Sequence, residues 1–216
     1  MQTNLVFLLA ILIATLATGC SKPQQPTINL YRAVHTGNID QIERNLYWNA
    51  KVNQPGPDGL TPLHVSAKKG SLVVIKLLLE HGADIEALDK ADHSPLATAL
   101  LARNTLVADY LVKQGAKIAP DSLLQLCVRE GQADRDVIDF LVKQGANLNA
   151  PDADGNTPLL RAILGGHRVI AKHLVQKGAD IDAPDQAGRT PLQLARELGE
   201  QDIAQMLRQF GATASP

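Results

Sequence analysis

Residues 61–67 of this 216-residue chain read Thr61-Pro62-Leu63-His64-Val65-Ser66-Ala67. A threonine side chain can cap the first free N–H groups of a helix, and proline suits the first helical position, where no intrahelical N–H bond is needed. The stretch therefore predicts the start of a helix. The same triplet of Thr or Ser, Pro and Leu recurs in phase at Ser94-Pro95-Leu96, Thr157-Pro158-Leu159 and Thr190-Pro191-Leu192.

Glycines divide each copy of this pattern into two helices. Gly-Ala pairs begin at positions 82, 115, 145, 178 and 211, so their spacing is constant except for a shorter step between the second and third pairs. A period of this size is typical of stacked helical repeats. Before each pair an apolar residue and a leucine stand four positions apart, on one face of a predicted second helix. The first helices are predicted to end at Gly37, Gly70, Gly131, Gly166 and Gly199, with Arg103 at the same place in the third copy.

The composition fits an ordinary folded protein and excludes several classes. Apolar residues make up 45% of the chain and aromatic residues only 3%, so the core is built from Leu, Ile, Val and Ala. Lys and Arg number 21 against 22 Asp and Glu, which supplies no basic excess for nucleic acid. Two cysteines allow at most one disulfide, which excludes a cross-linked mini-domain.

The repeated pattern resembles the ankyrin repeat over about Ile28 to Ala212, and residues 61–67 are its nearest copy. The resemblance implies an all-α solenoid of about six repeats, including degenerate caps. Each repeat would add two antiparallel helices and a projecting β-hairpin finger, and the stack would curve around a concave, finger-lined face. We expect a signal segment at 1–19, a lipidated tether at 20–27, the solenoid at 28–212 and a tail at 213–216.

Two irregular repeats predict local features of this solenoid. The third finger, from Gly115 to Ser122, is clearly shorter than the others, with Ser122 as the expected helix cap. The next inter-helix loop, Gly131 to Val137, carries two extra residues. A clipped finger predicts a notch in the concave face near Lys117 to Asp121. The first repeat keeps Gly37 in phase but has a relaxed pattern, as a capping repeat would.

The N-terminus has the pattern of an export signal. Leu5 to Ala17 is an uncharged apolar run too short to span a membrane. Leu16-Ala17-Thr18-Gly19-Cys20 resembles the bacterial lipobox, although no Lys or Arg precedes the run and Ala17 stands where the family more often has Leu. The resemblance implies lipidation of Cys20, and Ser21 implies the outer membrane. An ordinary cleaved signal and a wrongly assigned start are the alternatives.

The residues that could carry chemistry are better explained by structural roles. Cys127 falls where other copies carry Ser or Ala, which predicts a buried structural thiol. His64 is expected to bond within the scaffold, and the other histidines show no zinc spacing. Asp152-Ala153-Asp154-Gly155-Asn156 departs from a calcium loop and fits a turn better. No phosphate-binding glycine motif occurs. We therefore expect no enzyme, no metal and no cofactor.

Charge placement gives a hypothesis for partner binding. The long fingers at 83–93, 146–156 and 179–189 carry a net charge of -7, which leaves +6 for the rest of the chain. Aspartate is a common turn residue, which is one interpretation. The other is that the acidic fingers together form a negatively charged surface, here called the acidic comb, which binds a basic patch on a protein partner. The candidate binding residues are Asp89, Lys90, Asp92, Asp152, Asp154, Asp185, Arg189 and Trp48.

Trp48 keeps two interpretations open. It could anchor an interface with a partner or membrane, or it could cover the open end of the stack.

Taken together, these features predict a non-catalytic, monomeric protein-binding module, lipid-anchored in the bacterial envelope and facing the periplasm. The alternatives are an immunity protein that occludes a secreted toxin, and an assembly or structural factor for an envelope enzyme.

Overall fold

The computed structural model describes residues 22–213, and this range contains twelve helices and no strand. The helices follow one another as six packed pairs, which confirms an all-α solenoid of six repeats. The pairs are α1 (Leu30–Thr36) with α2 (Ile39–Tyr47), α3 (Pro62–Lys69) with α4 (Leu72–Glu80), α5 (Pro95–Leu101) with α6 (Thr105–Lys113), α7 (Pro120–Arg129) with α8 (Arg135–Lys143), α9 (Pro158–Leu164) with α10 (Arg168–Gln176), and α11 (Pro191–Glu197) with α12 (Gln201–Gln209).

The predicted caps start four of the first helices. In each, a Thr or Ser oxygen accepts a hydrogen bond from the backbone N–H three residues later, and proline occupies the next position. This satisfies an N–H group that has no partner inside the helix. The capping residues are Thr61, Ser94, Thr157 and Thr190.

The first helices end in a left-handed residue, as the glycine pattern predicts. Gly70 has φ +71°, and Arg103 occupies the same place in the third repeat with φ +60°. An L-residue in this region carries strain of about 1–2 kcal/mol, which glycine avoids. The third repeat is therefore strained at the turn between its helices.

Relieving that strain should stabilise the protein. We expect Arg103→Gly to raise the free energy of unfolding by about 0.5–1 kcal/mol, since part of the relief is offset by a more flexible unfolded chain. Gly70→Ala should lower it by about 1.5 kcal/mol, because φ is positive and the new Cβ would lie 2.8 Å from the side-chain oxygen of Asn104. Urea unfolding followed by circular dichroism measures both. A destabilising Arg103→Gly would contradict the strain argument.

The core runs the length of the stack. Every first helix contacts the first helix of the next repeat, and each second helix packs on its own partner. The leucines four positions before the Gly-Ala pairs are completely buried, as predicted. They are Leu78, Leu111, Leu141, Leu174 and Leu207. Each repeat therefore covers the apolar side of its neighbour.

The links between repeats, here called fingers, form turns without strands in the described range, whereas the resemblance implies β-hairpins. Four fingers have equal length, and the third, at 114–119, is less than half as long. The predicted cap at Ser122 is wrong, because α7 begins at Pro120 after Ala119. Proline suits this first position, so the helix starts earlier and the finger is shorter than the sequence suggests. The equal fingers lie at 48–61, 81–94, 144–157 and 177–190.

The extra residues after Gly131 are confirmed as a longer loop between α7 and α8. Ala133 in this loop is completely buried, and Gln132 donates its backbone N–H to the carbonyl of Cys127 at 2.8 Å. The loop is therefore packed against the core rather than displaced from it.

The segment before the first repeat lies along α2. The N–H of Thr27 donates to Gln41 Oε1 at 2.8 Å, and Arg44 donates to Gln24 Oε1 at 3.2 Å. The described part of the predicted tether is thus bound to the first repeat. Cys20 and the predicted signal segment lie outside the described residues. Within residues 22–213, no helix combines the length and the apolar character needed to cross a bilayer.

Candidate protein-binding face

Four fingers close with one kind of turn. A backbone N–H donates to the carbonyl four residues later at 2.9–3.0 Å, and the donor residues are Gly56, Asp89, Asp152 and Asp185. In the last three, the aspartate Oδ1 also accepts the N–H groups two and four residues ahead. These carboxylates hold the turns in shape.

The candidate acidic residues therefore divide into two groups. Asp89, Asp152 and Asp185 stabilise turns from within, whereas Asp92 and Asp154 lie exposed at the tips. Of these, Asp154 is 73% exposed and pairs with Arg161 at 2.8 Å. The turn interpretation accounts for most of the finger charge, and the acidic comb stays a prediction for the two tips.

The two candidate cations also have internal partners. Arg189 pairs with Asp185 at 2.7 Å and with Glu197 at 3.0 Å. Lys90 donates to the carbonyl of Pro57 in the preceding finger at 3.2 Å. The contact of Lys90 aligns neighbouring fingers, and those of Arg189 fix its own finger to α11.

Hydrogen bonds and charge pairs lower the pKa values of two turn aspartates, Asp152 and Asp185. Partial burial alone would raise the pKa of Asp152, but hydrogen bonds from Arg161 and from the N–H of Asn156 outweigh it and lower the pKa. Burial of Asp185 is likewise outweighed by hydrogen bonds from Arg189, which lower the pKa of that carboxyl. Both carboxylates are therefore charged at neutral pH.

The first finger replaces the turn aspartate by Gly56. A Cβ at Gly56 would overlap the ring of Tyr31, so only glycine fits. The Tyr31 hydroxyl donates to Asp58 at 2.6 Å, and burial together with this bond raises the pKa of Tyr31 to about 12. The first helix and first finger are thereby fixed to each other.

A second set of polar side chains connects successive repeats. Each accepts the backbone N–H at the start of the next finger or of the C-terminal segment at 2.7–3.0 Å. The acceptors are Asn53, Glu86, Asp121, Asn149 and Asp182. In the repeat that follows the short third finger, Asp121 in the first turn of α7 accepts the N–H of Asn147. This ladder was not predicted from the sequence, although Asn53 and Glu86, like Asn149 and Asp182, stand one full repeat apart.

First helices also bond across to the following finger. His64 Nε2 donates to the carbonyl of His93 at 2.9 Å, and its Nδ1 lies 2.8 Å from Thr61 Oγ1. This agrees with the scaffold role expected for His64. Gln125, at the corresponding place in α7, donates to the carbonyls of Ala150 and Asn156. The role of Gln125 was not predicted, because a glutamine at this site has no distinctive spacing.

The short third finger leaves an open cavity, as predicted. A cavity of about 550 Å³ lies between the second and fourth finger turns above α7. A second cavity of about 380 Å³ adjoins it above α5, and His93 lines both. We call the two together the notch. The finger turns and the exposed side of the first helices form one face, and the notch is at its centre.

A comparison with known protein families identifies the family that has this architecture. Residues 30–121 and 124–215 match the family model described as ankyrin repeats (3 copies). The chain belongs to the ankyrin repeat family. Membership indicates a protein-interaction module of a fold that is typically non-enzymatic. Within residues 22–213, no group of three or more His, Cys, Asp or Glu is placed to hold a metal ion.

Curated relatives share the ankyrin repeats within much longer chains. The E3 ubiquitin-protein ligase KEG of Arabidopsis thaliana is 30% identical over 166 residues, which cover 68% of this chain and 10% of that protein. Rabankyrin-5 of Mus musculus is 26% identical over 180 residues, which cover 72% of this chain and 15% of that protein. This chain therefore spans only a small part of these relatives.

Solved structures show the same fold. The human ASB11 ankyrin repeat domain matches with a TM-score of 0.71 at 23% identity, covering 87% of this chain and 85% of that one. A second match comes from the complex of a predatory endopeptidase from Bdellovibrio bacteriovorus with an immunity protein. One chain of that complex matches with a TM-score of 0.67 at 24% identity, covering 86% of this chain and 99% of that one.

Trp48 lies at the N-terminal end of the ankyrin array. Its indole N–H donates to the carbonyl of Pro23 at 3.2 Å, and its ring meets Tyr47 edge to face. The side chain thus covers part of the segment before the first repeat while remaining 40% exposed. These contacts favour the end-covering interpretation over a free anchor.

Cys127 is completely buried in α7, and burial raises the pKa of its thiol to about 12. The thiol is therefore protonated at neutral pH and is a poor nucleophile.

We expect Cys127→Ala to lower the free energy of unfolding by only about 1 kcal/mol, because alanine occupies this site in other repeats. The native thiol should react with a thiol reagent only as fast as the protein unfolds. Rapid labelling of the native protein would contradict the structural role.

The raised pKa also predicts a pH dependence. Because the pKa of Cys127 is higher in the folded protein, the stability that this residue contributes should fall as pH rises above its pKa in the unfolded chain, about 8.5.

Proposed function

We propose that this ankyrin array is a non-catalytic protein-binding module, held in the bacterial envelope by a lipid on Cys20 and facing the periplasm. The observation that carries the binding role is the face built from finger turns and first helices. The repeats stack through contacts between their helices, so the exposed finger turns stay free for a partner.

Binding can be tested by affinity capture from envelope extracts. The full-length chain should retain a protein whose isolated form binds with a measurable dissociation constant. A variant with Asp92 and Asp154 changed to Lys should bind it more slowly, because the two exposed carboxylates would steer a basic partner. Extracts that yield no protein able to bind directly in purified form would contradict the binding role.

The envelope anchor is supported by the lipobox resemblance at residues 16–20. Because Pro23 and Gln24 contact the first repeat, a lipid on Cys20 would hold that repeat close to the bilayer. A Cys20→Ala variant should lose its lipid label and move to the soluble fraction, whereas Cys127→Ala should keep both. Sedimentation of Cys20→Ala with membranes would show that the anchor assignment is wrong.

An immunity-type inhibitor is a second candidate. The supporting observation is the fold shared with a chain of the endopeptidase–immunity complex. An inhibitor should abolish the activity of its partner enzyme at a one-to-one ratio in purified form. An assembly factor should leave that activity intact, so one titration separates the two roles.

A further inference from the structure

The shortened third finger opens a gap of defined width. Only 114–119 link α6 to α7, whereas the longer segments 81–94 and 144–157 link the helices on either side. Neighbouring helices pack about 8–10 Å apart, so the turns on either side of the gap are separated by about 20 Å instead of about 10 Å. A single polypeptide loop or one helix of about 10–12 Å diameter fits such a gap.

Two side chains on the floor of the notch each carry a covered polar atom that makes no hydrogen bond. Thr98 is only 8% exposed and lines the smaller cavity, yet its Oγ1 is buried without a hydrogen bond. Gln125 lines the larger cavity, and its Oε1 is buried in the same state. A third buried atom in the described range, Asp139 Oδ1, makes no hydrogen bond of regular geometry but forms an ion pair with Lys177 Nζ at 2.6 Å, so it differs from the other two.

Both atoms are covered by protein in the free chain, and an unpaired buried polar atom is destabilising, so a small turn of either side chain towards the notch would let a ligand supply the missing hydrogen bond. Gln125 Oε1 can only accept, so that ligand must carry N–H or O–H donors. A regular helix has already paired its backbone N–H groups, whereas a loop has free ones. These atoms therefore favour a loop over a helix.

The charge of the notch selects the side chain at the tip of that loop. Its carboxylates outnumber its Lys and Arg side chains by two. Arg161 is already shared between Asp152 and Asp154, and Arg129 contacts Glu130 at 3.1 Å. The carboxylates are Asp89, Asp121, Glu130, Asp152 and Asp154, against Lys68, Arg129 and Arg161.

We propose that the notch receives one protruding loop of a partner protein, with a Lys or Arg side chain at its tip. The cation lies against Asp121 and Asp154, and polar hydrogens of the loop bond to Thr98 and Gln125. Leu126 supplies apolar contact on the floor. This inference rests on the proposed protein-binding function and adds the place on the face and the chemistry of the partner.

A displayed library of disulfide-constrained loops with randomised tips provides the probe. Loops selected on the full-length chain should be enriched in Lys or Arg at the tip, and a synthetic copy gives the dissociation constant. Replacing residues 114–119 by the longer sequence of 144–157 restores the missing finger and should weaken binding at least about 10-fold. Asp154→Lys should have a similar effect, because it reverses a charge at the site.

Thr98→Val is the sharpest single change. It removes a hydroxyl that has no partner in the free protein, so thermal stability should hold or rise while loop affinity falls about 5-fold. Asp202→Lys makes the same charge change as Asp154→Lys at an exposed position of α12, away from the notch, and should change affinity less than about 2-fold. These substitutions keep the test decisive if the finger insertion unfolds the protein.

The outcomes separate this inference from the wider function. Acidic or apolar tips, no selected loop, or loops that bind the finger-restored and Thr98→Val variants as tightly as the unaltered chain would overturn the notch proposal. A captured partner that binds equally well to all variants would also overturn it while leaving protein binding intact. Notch-dependent loops without any captured partner would instead count against the wider function alone.

Discussion

Replacing His64 with alanine should lower the free energy of unfolding by about 3 kcal/mol. The imidazole is completely buried, and its Nε2 supplies the hydrogen bond to the carbonyl of His93. Its Nδ1 lies within bonding distance of both the hydroxyl and the N–H of Thr61. Alanine would leave the carbonyl of His93 without this donor, remove a bond at the cap and open a cavity. Urea unfolding followed by circular dichroism measures the loss.

The chain offers a rescue variant and a control for this substitution. Gln125 makes the corresponding bond in α7, so His64→Gln should recover most of the loss, leaving about 1 kcal/mol. His81→Ala removes an exposed imidazole at the end of α4 that bonds to the carbonyl of Leu77 in that helix, and should cost less than about 0.5 kcal/mol. If His64→Ala were as mild as His81→Ala, the bond between repeats would have no energetic role.

The fold was predictable because few kinds of residue decide it. A cap with proline after it, a left-handed glycine and buried leucines at fixed spacing each act within one repeat. Their chemistry can therefore be read locally. Arg103 shows the strength of the pattern, since the chain adopts φ +60° there without glycine. The clipped finger was also predictable, because it changes the period.

The candidate site was predictable in place but not in detail. The sequence located the notch, but it could not separate Asp89, which holds a turn, from Asp92 at the exposed tip. That distinction depends on which carboxylate accepts backbone N–H groups in the folded turn. Ser122 was mistaken for a cap because Pro120 two residues earlier also starts a helix. Thr98 and Gln125 carry unpaired atoms only because of packing between repeats, which no local pattern reports.

Asp152→Ala should lower the free energy of unfolding by about 2 kcal/mol, whereas Asp154→Ala should change it by less than about 0.5 kcal/mol. Asp152 Oδ1 accepts the N–H groups of Asp154 and Asn156 at 3.0 and 2.9 Å, and Oδ2 bonds to Arg161 Nε at 2.8 Å. Alanine leaves these donors to water or unpaired. Asp154 makes one exposed pair with the same arginine. Urea unfolding measures both losses, and hydrogen exchange at Asn156 should quicken only in Asp152→Ala.

Asp152→Ala also gives a test by pH. The pKa of Asp152 is lowered on folding, so its stabilisation is complete above the unfolded value of about 4 and is lost as pH falls through the folded pKa. Asp152→Ala should therefore lose stability less steeply than the unaltered chain in acid. Equal acid profiles for these two proteins would contradict an internal role for Asp152. Asp152 would then be free for a partner, as the acidic comb requires.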